Sequence, residues 1–107
     1  MYHLSSVPSA PPQNVTGEAV NSTAIIVSWK PPPITEQNGI IILYTIHLRE
    51  VPTQRALAYV QEGQQRMLVI GSLHPYYDYE CSVAAKTVVG SSPLSETVTA
   101  KTQPDSK

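Results

Sequence analysis

The sequence predicts an all-β sandwich of about seven short antiparallel strands. Three observations carry that prediction. Apolar and polar residues alternate at the two-residue period of a strand, turn-forming residues interrupt the alternation at regular intervals, and no stretch shows the 3.6-residue period of a helix. At 107 residues the chain is long enough to bury one core and too short for two. A single cysteine leaves no internal disulfide, so packing alone must hold the fold.

Residues 1–10 are rich in Ser and Pro and read as an extended linker or lead-in, which Pro11-Pro12 stiffens where the domain begins. A first strand over Gln13–Ala19 gives way to the turn Asn21-Ser22-Thr23. A second strand, Ala24–Lys30, sets Ile25, Val27 and Trp29 on one face and Ile26 and Ser28 on the other. Pro31-Pro32-Pro33 cannot donate ladder hydrogen bonds, so that strand stops and a long exposed loop runs to Asn38-Gly39. The third strand, Ile40–Glu50, is the most regular: Ile42, Tyr44, Ile46 and Leu48 turn inward, and Ile41, Leu43, Thr45, His47 and Arg49 turn outward.

Val51-Pro52-Thr53-Gln54 breaks the third strand, Ala56–Gln61 reads as a short fourth, and Gly63-Gln64-Gln65 makes the next turn. Arg66–Ile70 is the fifth strand. The stretch Leu73–Ala85 then organises the chain as a corner running into a central strand, Tyr77–Thr87. Leu73 caps the core under the turn, Pro75 fixes the corner, and Tyr79, Cys81, Val83 and Ala85 line one buried face. Val88–Pro93 turns the chain and Leu94–Thr102 closes the sheet. The domain therefore spans 11–102, with 103–107 as a flexible tail.

Charge and hydropathy exclude several classes. A net charge of -1, with seven Lys and Arg scattered along the chain, offers no stripe for phosphate backbones, so nucleic acid is not expected as a partner. The longest apolar run, Ile40–Tyr44, is far too short for a membrane span, and residues 1–6 lack the regions of a signal peptide. Any targeting or transmembrane segment is expected outside this fragment, which reads as part of a larger protein.

Catalytic chemistry has no foothold. No serine sits in a Gly-x-Ser-x-Gly setting, and the sharpest pair, Cys81 with His74, fails because Cys81 points into the core, where a thiol packs as a small hydrophobe. His3, His47 and His74 are too scattered for a metal site. Asp78 and Glu80 read as solvated charges, and no Gly-rich phosphate loop exists. The expectation is a non-enzyme with no cofactor and no metal.

An ordered set of residues resembles the fibronectin type III domain over nearly the whole chain. They are Pro11-Pro12 with Val15, Val27-Ser28-Trp29 before Pro31-Pro32-Pro33, and Asn38-Gly39-Ile40-Ile41 leading into Tyr44-Thr45-Ile46. Leu73, Pro75, Tyr79, Val83, Ala85 and Gly90 through Ser95 complete the set. The rival is the immunoglobulin domain, suggested by Tyr79-Glu80-Cys81. It needs a second cysteine and a tryptophan on the third strand, whereas here Trp29 ends the second strand and Tyr44 lies on the third. The resemblance implies an immunoglobulin-like sandwich of fibronectin type III topology, cored by Trp29, Tyr44, Ile46, Leu73, Tyr79, Cys81 and Val83. It also implies that the Tyr79 hydroxyl donates to backbone just upstream.

Several features bear on function. Asn14-Val15-Thr16 and Asn21-Ser22-Thr23 fit the glycosylation acceptor pattern, and Asn21, in a turn, is the better candidate. The integrin-binding Arg-Gly-Asp of the family is absent from Val88–Pro93, so that activity does not transfer. Val88 and Val89 are candidate contact residues, one of them expected to tuck back over the core. Ile41 and Leu43, exposed on the outer face or covered by Lys86, are candidates for a weak interaction face. The expected role is a non-catalytic, extracellular protein-interaction and spacer module, a glycoprotein repeat of a multi-domain cell-surface receptor or adhesion protein, of the receptor tyrosine phosphatase or neural guidance type. Its partners would be neighbouring domains of the same chain and a protein ligand, with no direct membrane insertion and a monomeric isolated domain. The alternative is an intracellular structural module of a giant muscle-type scaffold, in which a reduced cysteine is natural and the acceptor sites accidental.

Overall fold

A computed structural model describes residues 5–105. Seven strands form two antiparallel sheets: β1 (Gln13–Asn21), β2 (Ala24–Lys30) and β5 (Met67–Ile70) in the order β1-β2-β5, and β3 (Leu43–Glu50), β4 (Arg55–Glu62), β6 (Asp78–Lys86) and β7 (Val98–Lys101) in the order β4-β3-β6-β7. A single 3-10 turn, Ile34–Glu36, interrupts the loop after β2. The core lies between the inward rows of both sheets, where Ile25, Val27 and Trp29 meet Tyr44, Ile46, Leu48, Tyr79, Cys81 and Val83. Trp29 packs on Tyr44 with ring centroids 5.2 Å apart and planes tilted by 52°, a geometry that suits the ring quadrupoles.

The third strand is shorter than the alternation predicts. Both Ile42 N–H and the ladder position of Leu43 face Lys86, so two residues on the β3 side oppose one on β6. Such an offset breaks the two-residue phase. Ile41, expected outside, is therefore in the core at 3% exposure, Ile42 is exposed, and Leu43 is half-buried in a row with Glu62 and Lys86.

The closing strand is also shorter, because serine side chains replace part of its ladder. Ser95 Oγ accepts from Val83 N at 2.9 Å and Ser92 Oγ from Ala85 N at 3.0 Å. Ser95 N–H and Ser92 N–H donate back to the carbonyls of the same two residues. Pro93, lying between them, has no N–H to give.

The lead-in is not a free linker over its described part. Ser6 N donates to Asn38 O, Ser9 N donates to Glu36 O, Thr87 Oγ1 donates to Ser6 O at 2.7 Å, and Pro8 is buried. At the other end Gln103, read as tail, bonds Asn21 O and Tyr76 N. Residues 1–4 of the expected linker and 106–107 of the expected tail lie outside the described residues.

Candidate interaction surfaces

The corner at the start of β6 is a closed hydrogen-bond system around Tyr79. Its hydroxyl accepts the His74 backbone N–H at 2.9 Å and donates to Glu50 Oε2 at 3.2 Å. The backbone partner is thus a donor, the reverse of the expected polarity, and the hydroxyl proton goes to a carboxylate. Glu50, the last residue of β3, is 2% exposed and also accepts from Thr53 Oγ1 at 2.8 Å. That bond holds its carboxyl below the usual carboxylate range; the Tyr79 hydroxyl, His74 and Arg55 act in the same direction and outweigh burial. Thr102 Oγ1 donates to His74 O at 2.6 Å and accepts from Tyr77 N at 3.0 Å, tying the last strand to the corner. The Tyr79 hydroxyl, the Glu50 carboxylate and the Thr102 hydroxyl are thus all engaged in holding the corner together.

Cys81 and His74 do not form a dyad. Cys81 is fully buried, and burial pushes its thiol up to about 12, far from a nucleophilic thiolate. His74 instead stacks near Tyr77, with its Nε2 3.9 Å from Glu50. His3 lies outside the described residues, and His47 sits on the outer face of β3. Among the described residues no group of His, Cys, Asp or Glu is arranged to hold a metal ion. Among the described residues no helix is long and apolar enough to cross a membrane.

What the molecule presents to partners is surface, and its most apolar end surrounds the lead-in. Val88 and Val89 are 72% and 57% exposed, so neither tucks over the core. Thr87 occupies that place, fully buried, with its N–H on Gly90 O. Exposed Val7 and Ile40 lie at the same end: a Cβ on Gly90, the residue after Val89, would lie 3.0 Å from Val7 Cγ1, and Gly39, the residue before Ile40, abuts Ser5 and Thr87, the residue before Val88. Val7 O accepts from Asn38 Nδ2, which fixes the lead-in against this end. Sequence reading found Val88 and Val89 and missed Val7 and Ile40, which only folding brings to the same end.

The outer face of the β4-β3-β6-β7 sheet holds a second, shallower feature. Arg49 bonds Glu80 across the ladder and Gln54 beside it, forming the floor of an open groove rimmed by His47, Ala56, Ser82 and Thr97. The acceptor asparagines, Asn14 and Asn21, are both exposed. Asn21 Oδ1 accepts from Thr23 N at 2.9 Å, an Asx-type turn that leaves Nδ2 facing outward.

The family model described as Fibronectin type III domain matches residues 10–101. The chain belongs to the fibronectin type III family. This fibronectin type III domain is 44% identical over 99 residues to the netrin receptor DCC of Homo sapiens, covering 92% of the chain and 7% of the relative. It is 36% identical over 95 residues to the cell adhesion molecule Dscam1 of Drosophila melanogaster, covering 83% of the chain and 5% of the relative. Among solved structures, the FN5 domain of Drosophila Lar superposes with a TM-score of 0.74 at 30% identity, covering 92% of this chain and all of that one. The domain thus corresponds to a small part of much longer curated relatives.

Proposed function

We propose that this fibronectin type III domain is a non-catalytic, extracellular interaction and spacer module within a multi-domain cell-surface receptor or adhesion protein. The observation that carries the reading is the apolar end formed by Val7, Ile40, Val88 and Val89 around a pinned lead-in. Exposed apolar residues gathered where the chain enters a domain suit contact with a neighbouring domain, because burying them there removes apolar area from water without opening the core. The names of its relatives, a receptor and a cell adhesion molecule, support the same setting.

Two exposed glycosylation acceptors, Asn14 and Asn21, suit passage through the secretory route. The lone cysteine offers nothing to the muscle-scaffold alternative, since a thiol sealed in the core at 0% exposure is indifferent to the redox state of its compartment. Expression in a secreting cell tests the reading. The protein should run heavier than its deglycosylated form, Asn21→Gln should remove most of the difference, and the double variant with Asn14→Gln should remove all of it. Secreted protein with no glycan at either site would reject the extracellular assignment.

A further inference from the structure

The two sheets present four edge strands, and three of them are blunted. β1 carries two register breaks, and β5 and β7 are four residues long; irregular and short edges resist pairing with another chain. β4 differs. Its eight residues pair with β3 without a break, and among the described residues no strand lies on its far side. Between Arg55 and Glu62 it contains no charge, proline or glycine.

The ladder fixes which backbone groups are free. Gly63 N donates to Ile42 O at 2.9 Å, in line with the β3–β4 register, and hydrogen-bonded pairs alternate along an antiparallel ladder. Residues 55, 57, 59 and 61 therefore bond β3, while Ala56, Ala58, Val60 and Glu62 turn their N–H and C=O groups outward. The same four residues are exposed, as is Arg55 at the start of the strand, whereas Leu57, Tyr59 and Gln61 are half-buried.

We propose that β4 is a homophilic edge: two copies of this chain pair antiparallel, β4 to β4, about a twofold axis at Tyr59, and join their sheets into one. Opposed residues in a sheet must point to the same face, so the twofold must pair even-numbered residues with even-numbered ones. Centring on Tyr59 sets Ala58 opposite the partner's Val60 and Ala56 opposite the partner's Glu62. Every outward residue of both copies then has a backbone partner, and a shift of the axis to Ala58 or Val60 leaves some without.

Charge selects the same arrangement. Arg49 is the β3 neighbour of Ala56 and turns to the same outer face, whereas Arg55, opposite the buried Glu50, turns to the inner one. Antiparallel pairing therefore sets the partner's Glu62, opposite Ala56, in one outer row with Arg49, twice by symmetry. Glu62 forms no ion pair within one copy among the described residues. The contact adds backbone hydrogen bonds and small apolar pairs, each of modest net worth. The chain is accordingly monomeric when dilute and pairs when concentrated.

Sedimentation velocity over a concentration series, with melting temperature as the control for folding, tests the proposal. The parent should move from monomer toward dimer, and Val60→Lys should stay monomeric while melting like the parent, because the side chain is 56% exposed. Glu62→Arg should weaken association by about three- to tenfold, because it sets like charges in one row with Arg49. Amide resonances of Ala56, Ala58, Val60 and Glu62 should shift with concentration. A parent that stays monomeric at millimolar concentration, a Val60→Lys variant that dimerises like the parent, or a Glu62→Arg variant that associates like the parent would overturn the proposal.

Discussion

The Tyr79 hydroxyl lies 3.2 Å from Glu50 Oε2 and donates to it, so a buried phenol on β6 and a buried carboxylate ending β3 satisfy one another across the sheet. The same oxygen accepts the His74 backbone N–H. One side chain thus closes both the corner and the end of β3.

Tyr79→Phe is expected to destabilise the domain by roughly 1 to 2 kcal/mol. The ring still fills its place, but His74 N–H loses its acceptor and Glu50 loses a donor. Urea denaturation should show a lower midpoint with an unchanged slope; equal midpoints would mean that the hydroxyl contributes nothing to the corner.

The Glu50 carboxyl sets part of the acid sensitivity. Its pKa in the folded state is lowered from the ordinary value of 4.5, so its contribution is complete above that value and is lost as pH falls through the lower folded pKa. Glu50→Gln should be less stable than the parent at neutral pH, and the gap should narrow as pH drops below about 4.5. Denaturation midpoints measured across that interval check it, and a gap independent of pH would contradict it.

Ile41 and Leu43 should respond in opposite ways to the same change. Ile41→Ala opens a cavity in the core and should cost about 2 to 4 kcal/mol, whereas Leu43→Ala, at a half-buried outer position, should cost under about 1 kcal/mol. Thermal or chemical melts of the pair decide whether the phase break at Ile42 is real.

Trp29→Ala should cost about 3 to 5 kcal/mol, because the indole packs on Tyr44 and is almost wholly buried. Equilibrium unfolding followed by far-ultraviolet circular dichroism gives the value.

Cys81 should react with a thiol reagent only as fast as the domain opens. The thiol is buried and pushed up to about 12, so modification should track unfolding across a denaturant series. Rapid labelling under native conditions would place the thiol at the surface.

The sandwich, the strand count and the inward rows of β2 and β6 are readable from alternation, because a strand buried on one face must repeat every second residue. The phase error at Ile41 has a physical origin: a bulge-like offset is set by a hydrogen bond to Lys86, a residue more than forty positions away. Glu50 carried a signal that went unread. It shares the parity of Tyr44, Ile46 and Leu48, and a carboxylate in that row must either be exposed or have donors waiting. The apolar end was half legible, since Val88 and Val89 stand out in a turn, whereas Val7 and Ile40 belong to segments brought there by folding. The open edge of β4 is written in Arg55–Glu62, yet only the sheet order reveals that among the described residues no strand lies beyond it.

The lead-in and the final residues grip opposite ends of the same strand: Ser6 is held by Thr87 just after β6, and Thr102 is held by Tyr77 and His74 just before it. Tension between the lead-in and the final residues therefore reaches both ends of β6 through side-chain hydrogen bonds and passes along it as along a tie-rod. The strand with the most buried side chains takes the tension, and β4, which β3 separates from β6 in the sheet, carries none of it.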